Sequence, residues 1–127
     1  MANFVYTIEE LSAAGESIFR KKEAALEKLS KLETDLNAAI RYRDEYALGM
    51  LMDIESMPAD KVKAYGTTVE SRKHRIRLKN EDLYVRVEML QAEKQQAEYD
   101  LKQIDSTIQH LQFQMKLHAI AVGTNIV

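Results

Sequence analysis

The chain has 127 residues, of which 46% are hydrophobic and 30% are charged, and its formal net charge is −2 at pH 7. This balance argues against a disordered chain and against a membrane-spanning one. Because the chain contains no cysteine, a disulfide framework, a thiolate metal site and a cysteine nucleophile are excluded. Only 4 Gly and 1 Pro are present, which predicts few turns and long helices.

The first acidic residues, Glu9 and Glu10, come before any hydrophobic stretch, so no signal peptide is expected. No apolar run reaches the roughly 18 residues that a membrane span requires. We therefore expect a cytoplasmic or otherwise intracellular protein with no membrane partner.

The first predicted helix covers residues 8–55. It begins with a capping box, Thr7-Ile8-Glu9-Glu10, in which Thr7 is the N-cap and Glu10 reaches back to it. Nothing after this box is a strong helix breaker until the only proline of the chain. The two glycines inside the helix each lower its stability by only about 1 kcal/mol.

The proline lies in a predicted elbow, a short helix over residues 57–65 that ends at Gly66. Thr67-Thr68-Val69-Glu70 then provides a second capping box. This box predicts a second long helix over residues 68–122, which Gly123 would end.

Apolar residues recur with heptad spacing in both long helices, a pattern typical of coiled coils. Folding back at the elbow favours an antiparallel register in which paired residue numbers sum to about 126, while a slip to about 133 also gives acceptable layers. The main seams are Leu11, Ile18, Ala25, Leu32, Ala39 and Tyr46 in the first helix and Val69, Ile76, Leu83, Leu90, Ala97, Ile104, Leu111 and His118 in the second. The companion seams are Gly15, Lys22, Leu29, Leu36, Arg43 and Met50, and Lys73, Asn80, Val87, Lys94, Leu101, Ile108, Met115 and Val122.

The sequence therefore predicts an all-α fold with a single domain over residues 1–127. We expect a long antiparallel two-helix coiled-coil hairpin with a short helical elbow, which assembles into a helical bundle.

Near the free ends of the two helices, apolar residues extend beyond the seams. A two-helix hairpin cannot bury all of them, which predicts a homo-oligomer, a dimer or a tetramer, or docking on another protein. The alternative is that the N-terminal segment folds back and covers this end. The predicted oligomer interface consists of Phe4, Ile8, Phe19, Phe113, Leu117 and Ile120.

Basic charge is concentrated in residues 58–80, whereas the segments on either side carry net negative charge. This basic elbow could contact an acidic protein surface or nucleic-acid phosphates, or it could be a solvated face balanced by acids of the first helix. Its candidate partner-binding residues are Lys61, Lys63, Arg72, Lys73, Arg75, Arg77 and Lys79.

No arrangement of residues in the sequence suggests catalysis. His74, His110 and His118 lack metal-ligand spacing, and the chain contains no P-loop and no glycine-rich dinucleotide turn. We predict no catalytic residue, no cofactor, no metal ligand and no small-molecule substrate, and hence no enzymatic activity.

These observations favour a non-enzymatic protein-binding module: an adaptor, a scaffold or an inhibitor of a larger complex, acting through the apolar end and the basic elbow. The alternative is a DNA- or RNA-binding accessory protein that uses the basic elbow. The predicted architecture is similar in outline to the coiled-coil stalk proteins of flagellar and type III secretion ATPases. Small phage-encoded accessory proteins that block a host or defence complex can also have this outline. The resemblance concerns shape alone and implies docking on a larger partner.

Overall fold

The computed structural model describes the backbone of residues 7–125 and the side chains of residues 7–121. Within this range the chain is helical and contains no strand. The elements in chain order are α1 (Ile8–Glu55), α2 (Ala59–Val62), a 3₁₀ helix (Lys63–Tyr65), α3 (Val69–Lys79) and α4 (Glu81–Asn125). The long helix α1 packs against the long helix α4, so the predicted all-α helical hairpin is confirmed.

The described residues form two compact units. Unit 1 contains residues 7–30 and 95–125, and unit 2 contains Lys31–Lys94. Both long helices contribute to each unit, so each unit has its own stretch of helix-on-helix packing.

The start of α1 is the predicted capping box. The backbone N–H of Glu10 donates to Thr7 Oγ1 at 3.1 Å, and the backbone N–H of Thr7 donates to Glu10 Oε2 at 3.3 Å. These reciprocal bonds satisfy N–H groups that have no partner within the helix.

The elbow connects α1 to α3 through residues 56–68. Gly66 has φ of 124°, a region that favours glycine, and a Cβ at this position would collide with the Ser71 hydroxyl. The capping box of α3 is formed by Thr68 and Ser71, one residue later than the predicted box. The Ser71 hydroxyl accepts from the Thr68 backbone N–H at 3.1 Å and donates to the Thr68 carbonyl at 2.9 Å.

The predicted second long helix is divided in the structure. Asn80 has φ of −123° and ψ of 36°, which ends α3 before α4 begins. Its Nδ2 donates to the Ile76 carbonyl at 2.9 Å, and such side-chain bonds compete with the regular helix ladder. At the other end, α4 continues through Gly123 to Asn125, because a single glycine weakens a helix without stopping it.

The buried side chains follow the predicted heptads, and all of them except Ile54 occupy a predicted seam position. In unit 1, Leu11, Ile18 and Leu111 pack together, with Ile104 and Ile108 against them. The buried residues of the described chain are Leu11, Ile18, Leu32, Leu36, Ile54, Ile76, Val87, Leu90, Ala97 and Leu111.

Two ion pairs between the long helices report the register, one in each unit. Lys22 Nζ lies 2.9 Å from Asp105 Oδ1 in unit 1, and Lys94 Nζ lies 4.0 Å from Glu33 Oε1 in unit 2. In both pairs the residue numbers sum to 127, which is one away from the favoured register and far from the alternative slipped by a heptad.

Candidate protein-binding surfaces

Two arginines of the basic elbow hold the elbow against α3. Arg72 Nη1 donates to the Gly66 carbonyl at 3.3 Å, and an Nη1 hydrogen of Arg75 is donated to the Ala64 carbonyl. Arg72 is half-buried, whereas Arg75 is exposed. Both guanidinium groups therefore have a structural role, because they satisfy carbonyl oxygens in a segment with little helical hydrogen bonding.

Three further basic residues, two of them in the basic elbow, lie against aromatic rings. Arg77 Cζ is 5.2 Å from the centre of the Tyr84 ring, and Arg43 Cζ is 5.4 Å from the same ring. Lys79 Nζ lies 5.0 Å from the ring centre of Tyr65. Each such cation–π contact contributes about 0.5–1 kcal/mol at an exposed site. These cations therefore already have favourable partners within unit 2.

The remaining members of the basic elbow are lysines. Lys61 lies on α2, Lys63 on the 3₁₀ helix and Lys73 on α3, and all three are exposed. Within the described residues, none of their ammonium groups has a hydrogen bond or an ion pair. Within the basic elbow, the charge that remains for an external acidic group is therefore concentrated on these three lysines.

Two tyrosines, Tyr65 and Tyr84, distinguish the basic residues of the elbow from one another, and the sequence-based prediction did not use them. Seven basic residues looked equivalent in the sequence, but Tyr65 and Tyr84 each engage at least one cation of this region. An ion pair also forms between Arg77 and Glu88 of α4, at 3.6 Å.

The predicted oligomer interface falls in unit 1, where several large apolar side chains are exposed. Ile8 is 61% exposed and Phe19 56% exposed on α1, while Phe113 is 57% and Ile120 66% exposed on α4. Leu117 is half-buried. Phe4 lies outside the described residues.

Phe19 borders an apolar groove of about 300 Å³ between α1 and α4. Gly15 lies at a seam position in this groove, and a Cβ there would meet no atom within 4 Å. The missing side chain therefore opens the groove. Its apolar lining consists of Leu11, Gly15, Ile18, Phe19, Ile108, Leu111 and Met115.

The heptad pattern places Gly15 in the companion seam of the first helix, but no groove was predicted there. A glycine at a position where the heptad requires a side chain is the signal that could have revealed it. Phe113, Leu117 and Ile120 do not line this groove, so the structure separates them from Phe19.

In the described part of the chain, no three His, Cys, Asp or Glu side chains are arranged to hold a metal ion. Among residues 7–125, no helix combines the length and the apolar character needed to cross a membrane. No family model, no curated protein and no solved structure matches this chain.

Proposed function

We propose that the protein is a non-enzymatic module that binds another protein inside the cell, as an adaptor, a scaffold or an inhibitor of a larger complex. The observation that carries this proposal is the exposed apolar surface of unit 1, with Phe19 at the edge of the groove opened by Gly15. Large apolar groups beside a groove are characteristic of interaction sites.

The groove fits one or two apolar side chains of a partner. Ser12, Glu16 and Gln112 also line it and supply polar groups that can orient such a side chain. Burying an exposed phenylalanine or isoleucine contributes about 1.5–3 kcal/mol, so a contact that covers Phe19 gains most of its affinity from apolar surface. Binding at this site should therefore depend little on salt.

The lysines of unit 2 provide a second contact in this proposal. Lys61, Lys63 and Lys73 are exposed and available to carboxylates of a partner. Exposed charges act over about 10 Å at 0.1 M salt, so they increase the rate of association more than the final affinity.

A capture experiment with matched variants tests the proposal. The full chain and its variants Phe19→Ser and Leu48→Ser are each immobilised and compared. Leu48→Ser is the matched control, because Leu48 is also 58% exposed but lies in unit 2. We expect a protein to be retained in a defined ratio by the unchanged chain and by Leu48→Ser, and to be lost from Phe19→Ser. Equal retention by both variants would contradict a role for the groove.

The same three lysines support the alternative of DNA or RNA binding. Phosphate contacts release counterions, so such binding weakens steeply as salt increases. Nuclease treatment before capture distinguishes the two functions. If only nucleic acid is retained, and raised salt removes it, the protein-binding proposal is wrong and the alternative holds.

A further inference from the structure

Two large apolar side chains of α1 are exposed in unit 1 and lie one heptad apart. Phe19 is 56% exposed at the edge of the groove, and Leu26 is 45% exposed. Residues with heptad spacing lie on the same face of a helix, so both side chains are on one side of α1. The apolar surface beside the groove therefore extends along α1 from Phe19 to Leu26.

Three glutamates border this apolar surface, and we call them the glutamate row. Glu9, Glu16 and Glu23 also repeat with heptad spacing, and all three side chains are exposed. At about 100° per residue they lie about 40–80° around the helix from Phe19, on the side away from the seam. The carboxylates of the row therefore follow the apolar surface along about 21 Å of α1.

The glutamate row has no partner within the described residues. None of its carboxylates has a hydrogen bond or an ion pair there, whereas the nearby Lys22 already pairs with Asp105. The next heptad position around α1 carries Arg20 and Glu27, one charge of each sign. Among the described residues that line the groove, Glu16 carries the only charge. A molecule bound in the groove therefore meets negative charge.

A polypeptide segment that binds in this groove must satisfy its own backbone hydrogen bonds. Both walls of the groove are α-helices, whose backbone N–H and C=O groups are paired along the helix. These walls offer no edge to which an extended segment could add as a strand. A helix brings its own hydrogen bonds, and apolar residues repeated along one of its faces fit a groove between two helices.

We infer that the groove of unit 1 binds an amphipathic helix of a partner protein, in which lysine or arginine flanks an apolar stripe. The stripe covers Phe19 and Leu26 and places one side chain in the space that Gly15 leaves open. The basic residues lie beside the glutamate row. Apolar burial supplies most of the affinity, while the charges attract basic helices and repel acidic ones. This inference rests on the proposed function, because it names the chemistry of the partner that unit 1 binds.

Two synthetic helical peptides of equal length test the inference. Both are alanine-rich, have about 20 residues and carry leucine along one face, and the positions that flank the leucines are lysine in one peptide and glutamate in the other. Binding of each labelled peptide to the full chain is measured by fluorescence anisotropy at low and high salt. We expect the lysine peptide to bind about 10-fold more tightly at low salt, and this difference to shrink at high salt.

Two triple variants that remove equal charge locate the origin of this preference. The first removes the glutamate row through Glu9→Gln, Glu16→Gln and Glu23→Gln, and it should reduce the preference for the lysine peptide to about 2-fold or less. The matched control should keep the full preference, because it removes three exposed acids of unit 2. The control consists of Glu45→Gln, Asp53→Asn and Glu55→Gln. Circular dichroism checks that both variants remain helical.

Phe19→Ser separates the apolar contact from the charges. It should weaken the binding of both peptides by a similar factor, because both place leucine against Phe19. Unchanged binding of both peptides to Phe19→Ser would mean that they do not dock on the apolar surface, and the inference would be wrong.

Three further results would refute the inference. These are equal binding of the two peptides, no binding of either peptide, and a preference that survives removal of the glutamate row. Light scattering after size exclusion tests another occupant: a dimer of the unchanged chain that Phe19→Ser converts to a monomer would show that a second copy covers the groove, which also overturns the inference.

Failure of this inference can be told apart from failure of the proposed function. If Phe19→Ser loses the captured protein but the two peptides bind equally, the proposed function stands and only the chemistry of the partner is wrong. If Phe19→Ser and Leu48→Ser retain the captured protein equally, the proposed role of the groove fails.

Discussion

Lys22 and Asp105 form an ion pair between the two long helices of unit 1, with 2.9 Å between Nζ and Oδ1. Lys22 occupies a seam position, where the heptad would ordinarily place an apolar residue. Its charge reaches Asp105 at the edge of the seam, while its methylene stem can cover apolar surface. A slip of one heptad would separate these two charges, so the pair favours the observed register over the slipped one.

Exchanging the charges of this pair tests that role. Asp105→Lys alone places two cations together and should lower the free energy of unfolding, while the exchange Lys22→Asp with Asp105→Lys should recover most of the loss. Because both side chains are substantially exposed, the coupling energy should be about 0.2–1 kcal/mol and should fall at high salt. Urea unfolding of the double-mutant cycle at two salt concentrations measures this coupling energy. A coupling energy of zero would show that the ion pair does not help to determine the register.

The seam assignment predicts different effects for two leucines of α1. Leu32 is 7% exposed and Leu26 is 45% exposed. Leu32→Ala should lower the free energy of unfolding by about 2–5 kcal/mol, because it leaves a cavity in the packing between the helices. Leu26→Ala is the matched control and should lower it by less than about 1 kcal/mol. Similar losses for both variants, measured by urea unfolding, would show that the seam is misassigned.

Two glycines should respond to alanine with opposite signs. At Gly66 the backbone has φ of 124° and a Cβ collides with Ser71, so Gly66→Ala should destabilise the protein by more than about 1 kcal/mol. At Gly15 the added Cβ meets open space within a helix, so Gly15→Ala should stabilise it by about 0.4–1 kcal/mol. Thermal unfolding measures both changes.

Gly15→Ala has a second consequence, since the added methyl group fills part of the groove beside Phe19. We expect this variant to retain less of the captured partner although it is more stable. Undiminished capture by Gly15→Ala would mean that the partner does not enter the groove.

The basic residues of unit 2 should divide into two groups. The triple variant Lys61→Gln, Lys63→Gln, Lys73→Gln should unfold at the same temperature as the unchanged protein, because these exposed side chains make no bond within the described residues. Its association with an acidic partner should be slower and should depend less on salt. An unchanged association rate, measured by stopped flow at low salt, would leave these lysines without a binding role.

Arg75→Met is the contrasting variant. Arg75 donates a hydrogen bond to the Ala64 carbonyl, so its loss should lower the free energy of unfolding by about 0.5–1.5 kcal/mol. Thermal unfolding of this variant beside the triple lysine variant shows whether the arginines are structural. Equal stability of the two would contradict that division.

The helical class and the buried face could be predicted from the sequence because both follow from local periodicity. Leu11, Ile18 and Leu111 recur with the heptad spacing of their helices, and the structure buries all three. Burial of such a stripe is the main favourable term in pairing two helices, so the pattern alone identifies the seam. The capping box of Thr7 and Glu10 is equally local, since it involves residues only three apart.

Only the tertiary structure decided which contacts the polar side chains make and where a groove forms. Arg75 binds the carbonyl of a residue eleven positions earlier, and Tyr84 lies beside a cation from each of two helices, contacts that exist only after the chain has folded back. Gly15 becomes one wall of a groove only when α4 lies opposite it. At the helix break, Asn80 Nδ2 donates to Met50 Sδ of α1 at 3.1 Å, a contact between residues 30 positions apart. Such contacts depend on distances between separate segments, which periodicity along one helix does not encode.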